Sequence, residues 1–312
     1  MIVTILPYVV IFFIIFFVYF AYTDDKDEKI YEHTIGIKSI KEKLVEKKLD
    51  LLMKISKIND LKPIKINGNY DHNILVYNNE NSTIFLKSQK NNAILEELAY
   101  DISQVIGLDV VPTTVVCNTK DLLFDSKLIV KINALIIGYS KNIVIQGVNI
   151  NSIDESKNEE KCIEYSHYKK VKELDMISAQ KALLFNIIIG RKISHKVDSI
   201  VDIKNNIYEI DNYDIGNKNT NTWLFGLEQL ENLEIDQKIK NDIIFSEKKL
   251  RFILDEYKFK HKYNIDIINI KNNYKKLKEI LISKKTVKIK DLLDFYYIKE
   301  LCMDKSRLDN YY

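Results

Sequence analysis

Three side chains with the chemistry of a metal-assisted active site stand within one stretch, Met176–Gly216: His195, Asp198 and Asp211. An apolar helix ending at Gly190 leads into a polar loop that carries the first two, and two short β-rich runs then lead to the third. Carboxylates ligate Mg²⁺ and a histidine can orient a nucleophile, as phosphoryl transfer requires. The alternative is that both aspartates are turn residues, since Asp favours turns through local hydrogen bonds.

Composition excludes several classes of protein. The chain has 312 residues and is 46% hydrophobic, enough for one large core or two lobes. Its 47 Lys and Arg against 44 Asp and Glu give a net charge of +3, so nothing global indicates nucleic-acid binding. Cys117, Cys162 and Cys302 lie far apart and lack metal-ligand spacing. Neither a disulfide framework nor a zinc site is therefore predicted.

The run Ile2–Ala21 is uncharged and apolar over about 20 residues, the length a helix needs to cross a bilayer. Because its start lacks Lys and Arg, we expect a single-pass membrane anchor rather than a cleaved signal peptide. Lys26, Lys29 and Lys38 lie on its C-terminal flank, which favours a cytoplasmic domain. The side of the membrane stays open, because Asn81-Ser82-Thr83 would be a glycosylation acceptor in a luminal domain.

The strand-rich half begins after an amphipathic helix, which we expect to pack on the domain rather than to form a coiled coil. Short runs at 64–71, 73–77 and 83–87 predict a small antiparallel sheet. Gly68 lies in its first turn, either over nucleotide phosphates or as an ordinary hairpin residue. Lys87 ends the third run, either beside the apolar face or as a solvated edge lysine.

A helix is predicted after Asn91-Asn92, with apolar residues at helical spacing up to Gly107. Glu96 lies at the margin of its apolar face and Glu97 points to solvent, so Glu96 is the expected partner of Lys87. Further strands are predicted at 109–116 and 128–137. An extended connection is predicted at 143–148, and a long helix at 168–189.

A strand lysine, a helix glutamate, a loop carboxylate and a strand-end carboxylate follow in an order that resembles the protein-kinase-like superfamily. The likeness is closest to its atypical branches: phosphoinositide 3/4-kinase-like enzymes, HipA-type toxin kinases and secretory-pathway kinases. Their E-x-x-A-Y helix with a G-L-x-x-V-P ending is matched by Glu96–Tyr100 and Gly107–Pro112. Their hinge approach is matched loosely by Gly138–Ser140 and Gln146–Gly147. Their G-N-x-D-R-H-x-x-N loop and I-D-N strand end are matched in part by 190–198 and by Ile210–Asn212.

Carried over, the resemblance assigns Lys87 to the α- and β-phosphates of ATP, Glu96 to orienting that lysine, and Asp211 with Asp198 to Mg²⁺. The further candidates for the nucleotide-binding site are Gly68, Gln146 and Gly147. ATP and Mg²⁺ are the implied cofactors, unless the degenerate loop has lost them.

The position of the catalytic aspartate holds Ile193, and loss of a general base costs about 10²–10⁴-fold in rate. The resemblance therefore implies a pseudokinase that acts by binding nucleotide or a protein partner. One alternative is an active atypical kinase that transfers the γ-phosphate of ATP to a protein, lipid or small-molecule hydroxyl, with His195 or Asp198 as catalytic residue. Another is an anchored interaction domain unrelated to kinases.

The expected fold class is α+β with two lobes, since a strand-rich half precedes a helical half. The predicted domains are an anchor (1–22), a charged spacer with an amphipathic helix (23–60), a β-rich N-lobe (61–147) and a helical C-lobe (148–312). Lysines crowd between Lys271 and Lys290, where they contact anionic lipid or form a solvated helical face. Nucleic acid is not an expected partner.

Overall fold

The computed structural model describes residues 36, 39–53, 74–79, 82–89, 93–118, 142–148, 174–191, 199–201, 206–210, 212, 214–218, 220, 222, 224, 228–261 and 264–292. At some of these positions, Lys87 among them, the description covers the backbone. The chain divides into two compact units, Met1–Glu46 and Lys47–Tyr312. In the first unit, residues 36 and 39–46 are helical.

The predicted membrane anchor, Ile2–Ala21, lies outside the described residues. Among the helices that the structure does describe, none is both long enough and apolar enough to traverse a bilayer. The strand predicted at 128–137 and the run at 64–71 also lie outside the described residues.

In its described residues, the second unit combines helices with two sheets. Its helices are α1 (47–53), α2 (Ala93–Ile106), α3 (Met176–Ile189), α4 (Glu228–Glu231), α5 (Gln237–Phe245), α6 (Glu247–His261) and α7 (Asn264–Ser283). Its strands are β1 (Ile74–Asn79), β2 (Ser82–Gln89), β3 (Thr113–Asn118), β4 (Asn142–Val148), β5 (Ser199–Val201) and β6 (Ile207–Glu209).

The larger sheet is antiparallel and has the strand order β1-β2-β4-β3. The strands predicted at 73–77 and 83–87 are confirmed as β1 and β2 with slightly different ends. The segment 143–148 is extended as predicted, but it belongs to β4, which pairs with both β2 and β3. Its central place in the sheet was missed because a continuous apolar run shows no pairing partner in the local pattern.

Helix α2 has the bounds that its apolar spacing predicted, and it packs against β3 and β4. Its fully buried apolar side chains include Leu98, Ala99 and Ile102. The helix ends before Gly107, whose φ of 82° is a left-handed conformation that glycine adopts without strain. This packing fixes the helix that carries Glu96 beside the sheet.

Helix α3 lies at the centre of the core, and every residue from Ala182 to Ile189 is buried. The predicted start at residue 168 is wrong, because Leu174 and Asp175 precede the helix. The Asp175 side chain caps it by accepting a 2.6 Å hydrogen bond from the backbone N–H of Ser178. The spacing of Tyr168, Val171 and Leu174 continues a helical period upstream, and this concealed the start signal.

A short antiparallel hairpin of β5 and β6 follows α3, as the two β-rich runs predicted. The backbone N–H of Glu209 donates to the carbonyl of Val110 over 2.7 Å. Since Val110 belongs to the connection between α2 and β3, this bond joins the hairpin to the end of α2. Helices α5, α6 and α7 pack together, and α7 lies against α3.

Candidate functional site

The predicted site residues are described to different extents. Those described with their side chains are Glu96, Gln146 and Gly147. Lys87 is described as a backbone position in β2. Those outside the described residues are Gly68, His195, Asp198 and Asp211, together with Ile193.

Glu96 stands in the first turn of α2 and is fully buried. Its Oε2 atom accepts a 2.7 Å hydrogen bond from the backbone N–H of Asn212 and a longer one, 3.4 Å, from Nε2 of Gln146. A carboxylate removed from water is costly unless such donors compensate it. The side chain at the margin of the apolar face is therefore turned inward, where it joins three distant segments of the chain.

Gln146 is also fully buried and continues this network into the sheet. Its Nε2 donates to Oγ1 of Thr114 over 3.1 Å, and that hydroxyl donates to the carbonyl of Pro112 over 2.8 Å. The amide orientation follows from its neighbours, because the Glu96 carboxylate can only accept. Gln146 thus links β4, β3 and α2 through one side chain.

Two buried oxygens in this network call for a donor. Oε1 of Gln146 and Oδ1 of Asn212 have no hydrogen-bond donor among the described residues. A buried acceptor left unsatisfied costs about 1–3 kcal/mol. Both residues also bond to the Glu96 carboxylate, so the surroundings suit a positively charged group.

The strand register places Lys87 relative to this network. Lys87 lies opposite Val144 of β4, and Phe85, two residues earlier, lies opposite Gln146. Alternate residues of a strand share a face, as do directly opposed residues, so positions 87 and 146 share one face of the sheet. Glu96 reaches that face through its contact with Gln146. The predicted Lys87–Glu96 ion pair itself lies outside the described side chains.

A second buried network surrounds Arg191, the residue that follows the C-terminal cap of α3. Its Nη1 lies 2.7 Å from Oε2 of Glu209, and both side chains are almost completely buried. Its Nη2 donates to the carbonyl of Ile210 over 2.8 Å, and its own carbonyl accepts from the Thr220 hydroxyl. The planar guanidinium makes these two contacts at once, which an ammonium could not do with the same geometry.

Ser199 donates to the same Oε2 of Glu209 over 3.0 Å. Arg191 and Ser199 flank the segment 192–198 in the sequence, so residues at both ends of that segment bond to one carboxylate oxygen. Glu209 therefore ties α3, β5 and β6 together at this point.

The peptide groups on either side of residue 211 are held by buried charged side chains. The carbonyl of Ile210 accepts from Arg191, and the N–H of Asn212 donates to Glu96. The Asn212 side chain also donates to the carbonyl of Glu209 over 3.2 Å. The backbone that leads into and out of the predicted metal ligand is therefore anchored from two elements, α2 and the end of α3.

The turn after Asn212 docks on the end of α3. Gly190 has a φ of 62°, and a Cβ atom there would lie 2.1 Å from the carbonyl oxygen of Asn217. The backbone N–H of Asn217 in turn donates to the Gly190 carbonyl, and Asn273 of α7 donates to the Asn217 carbonyl. Only a glycine allows the two chain segments to approach this closely.

Next to that turn, Gly216 (φ 87°) leaves no room for a side chain, since a Cβ atom would lie 2.4 Å from Cα of Asp266. Burial and the nearby carboxylate of Asp214 raise the pKa of Asp266.

Gly147, a predicted nucleotide-site residue, is in close contact with α1. A Cβ atom at Gly147 would lie 2.3 Å from Cδ1 of Leu51, which is itself buried. Packing against Leu51 is thus a structural reason for glycine at this position, beside the nucleotide-binding role that stays a prediction.

The positive charge of the lysine-rich stretch between Lys271 and Lys290 is partly neutralised by neighbouring carboxylates. Lys271 pairs with Asp255, Lys278 with Glu247, and Lys284 with Asp291. Lys275 and Lys285 are exposed. The contact with anionic lipid remains a prediction.

Arg191, Glu209, Asn212 and Thr114 were not predicted as site residues. For Arg191 the available signal was a charged residue directly after an apolar helix and its capping glycine. For Glu209 it was a lone carboxylate in an otherwise apolar strand, two residues before Asp211. Asn212 acts through its backbone N–H, and no sequence signal identifies such a role.

Within the described part of the chain, no three His, Cys, Asp or Glu side chains are grouped as metal ligands, and both predicted Mg²⁺ ligands lie outside it. Comparison with protein-family models and with curated proteins gave no match to this chain.

Proposed function

We propose that this protein is a membrane-anchored pseudokinase of the atypical kinase-like type, which works by binding nucleotide or a protein partner. The observation that carries the proposal is the hydrogen bond between the Glu96 carboxylate and the N–H of Asn212. It brings the motif-matched helix glutamate within one peptide group of the motif-matched aspartate, although 114 positions separate Glu96 from the Ile210-Asp211-Asn212 motif. Two unrelated motif matches have no reason to meet in this way.

The residues around Glu96 suit a cationic group. The acceptors Gln146 Oε1 and Asn212 Oδ1 lack a donor among the described residues, and the Glu96 carboxylate stands beside them. Lys87, on the same face of the sheet as Gln146, is the candidate to supply an ammonium. The proposed pairing would hold that ammonium where it can contact phosphate oxygens.

ATP and Mg²⁺ are the proposed ligands, and the fixed backbone on both sides of residue 211 fits a metal-ligand role for Asp211. Asp211 and Asp198 would hold the ion, and Lys87 would contact the phosphates. Bound ATP would supply a γ-phosphoryl group as donor. Glu96, Arg191 and Glu209 orient these three ligand-binding residues through contacts within the protein.

The loss of transfer rests on Ile193, which has no proton-accepting atom where the resembled families carry their catalytic aspartate. A general base contributes about 10²–10⁴-fold to the rate of transfer. A site that has lost its base therefore loses transfer before it loses nucleotide binding. The hydrogen bonds that hold Ile210 and Asn212 serve binding in either case.

The nucleotide part is tested by thermal unfolding of the full chain in detergent with ATP and Mg²⁺. We expect a saturable rise in the melting temperature for the wild type, lost in Asp211→Asn and in Lys87→Met. Asp255→Asn, which changes an exposed aspartate on α6, is the matched control and should retain the rise. A wild-type protein that shows no rise at millimolar ATP would remove nucleotide from the proposal.

Transfer is tested in the same preparations with γ-labelled ATP. We expect no label above that of the Lys87→Met variant. Label that depends on Lys87 and Asp211 would instead support the alternative of an active kinase, for which His195 and Asp198 are the candidate catalytic residues.

The anchor is tested by membrane fractionation. The full chain should remain with membranes after alkaline carbonate extraction, and a chain without residues 1–22 should be released. Release of the full chain would contradict the anchor.

A further inference from the structure

Lys48 of α1 is the centre of a buried charged cluster with Glu97 and Asp101 of α2, the helix that carries Glu96. Its Nζ lies 2.6 Å from Oε1 of Glu97 and 2.7 Å from Oδ1 of Asp101. The other Asp101 oxygen accepts a 2.9 Å hydrogen bond from the hydroxyl of Tyr257 on α6. Three helices therefore meet at one pair of carboxylates.

The cluster is largely removed from solvent, with side-chain exposures of 15% for Lys48, 19% for Glu97 and 8% for Asp101. Burial alone would lower the pKa of Lys48, but the carboxylates of Asp101 and Glu97 outweigh it, and the pKa is raised. The lysine is therefore held as an ammonium, which also lies 5.6 Å from the centre of the Tyr100 ring. Removal of one partner from such a cluster leaves an uncompensated buried charge.

Two further contacts fix α1. Lys47 donates to Oε1 of Gln104 near the end of α2, over 2.6 Å. On the sheet side, Leu51 fills the space that a side chain at Gly147 would take. Segment 47–53 thus touches both α2 and β4, the two elements that supply Glu96 and Gln146.

We propose that Lys48 is a positioning residue of the site, which holds α2 by its ion pairs so that Glu96 keeps its contact with Asn212. The importance of this role for ligand binding rests on the proposed function. The mechanical link between Lys48 and the Glu96–Asn212 hydrogen bond does not rest on it, because this link concerns contacts within the protein.

The link follows from the stiffness of a helix. Glu97 is the next residue after Glu96, and Asp101 follows one turn later on the side of Glu97. A shift of α2 that releases Lys48 moves Glu96 by a similar distance, because the backbone between them is one rigid turn. A displacement of about 1 Å is enough to break the 2.7 Å bond to Asn212. Any change that draws α1 away would then loosen the backbone next to residue 211.

The reporter is the backbone amide of Asn212, whose hydrogen exchange is read by NMR on the full chain in detergent, without nucleotide. We expect Lys48→Met to speed exchange at Asn212 by about tenfold or more, because local opening exposes this N–H. Lys271→Met, which removes a lysine from the more exposed ion pair with Asp255 on α6, is the matched control and should leave Asn212 unchanged. Amides of α3 report whether the core is intact.

If Lys48→Met does not fold, Glu97→Gln serves as the second variant, since it keeps the Asp101 pair and weakens the cluster. Faster exchange at Asn212 with unchanged α3 amides supports the positioning role. Faster exchange in α1 with no change at Asn212 overturns it. Because no ligand is added, a failed nucleotide titration contradicts the proposed function and leaves this result untouched.

Discussion

The carboxylate of Glu96 and the backbone N–H of Asn212 form a 2.7 Å hydrogen bond between residues 116 positions apart. The bond joins the first turn of α2 to the chain that leaves β6. Because both groups are fully buried, neither can exchange its partner for water. The position of the Asn212 backbone therefore depends on the Glu96 carboxylate.

Replacement of Glu96 by alanine should lower the free energy of unfolding by about 2–4 kcal/mol, because the Asn212 N–H and the Gln146 amide lose their acceptor. Urea unfolding measures this loss. Glu279→Ala, which removes an exposed glutamate from α7, should change the value by less than about 0.5 kcal/mol. Equal losses in the two variants would show that the buried network adds nothing.

Arg191→Met should destabilise the protein by about 3–5 kcal/mol, since it removes the cation from the buried Glu209 carboxylate and takes the donor from the Ile210 carbonyl. Arg251→Met is the control, because that arginine pairs with Glu247 at the surface over 3.2 Å. We expect it to cost under about 1 kcal/mol. Chemical denaturation of both variants tests this, and a small loss in Arg191→Met would mean that the pair is not buried as described.

Gly190→Ala should be far more damaging than Gly107→Ala, although both glycines follow a helix with positive φ. At Gly107 a Cβ atom would lie 3.7 Å from its nearest neighbour, so alanine meets only the conformational cost of about 1–2 kcal/mol. At Gly190 it would meet a backbone oxygen at 2.1 Å. We expect Gly190→Ala to lower the melting temperature by about 10 °C or more. The shift is the lost free energy of unfolding divided by the entropy of unfolding. Similar melting temperatures would contradict the close approach.

Asp101→Asn should change how stability depends on pH. Burial raises the pKa of Asp101 from 3.8 to about 6, against the opposing effect of Lys48. The folded state therefore binds this proton more tightly than the unfolded state does. The stabilisation is complete below pH 3.8 and is lost as the pH rises through about 6.

Asparagine at this position cannot titrate and keeps an acceptor for the Tyr257 hydroxyl. The free energy of unfolding of the wild type minus that of Asp101→Asn should therefore fall between pH 4 and pH 7, by on the order of 2–3 kcal/mol. Denaturation at a series of pH values measures the difference. A difference that rises with pH would show that the pair with Lys48 dominates over burial.

Local patterns predicted the elements that bear the site. Apolar spacing placed α2, and the run ending at Gly190 placed the end of α3, because the periodicity of a helix is written in adjacent residues. The start of α3 and the central place of β4 were missed. A single capping side chain sets the start of α3. Pairing with strands far away in the sequence sets the place of β4.

By itself, the sequence determined the bounds of α2, the C-terminal end of α3, the place of Glu96 at the margin of an apolar helix face and the order of the motif-matched residues. Only the tertiary structure decided which polar groups meet: Glu96 with Asn212, Arg191 with Glu209, and Lys48 with Asp101. The physical reason is that a buried polar group is stable only beside its complement. That complement is supplied by a segment far away in the chain, where no local periodicity can indicate it.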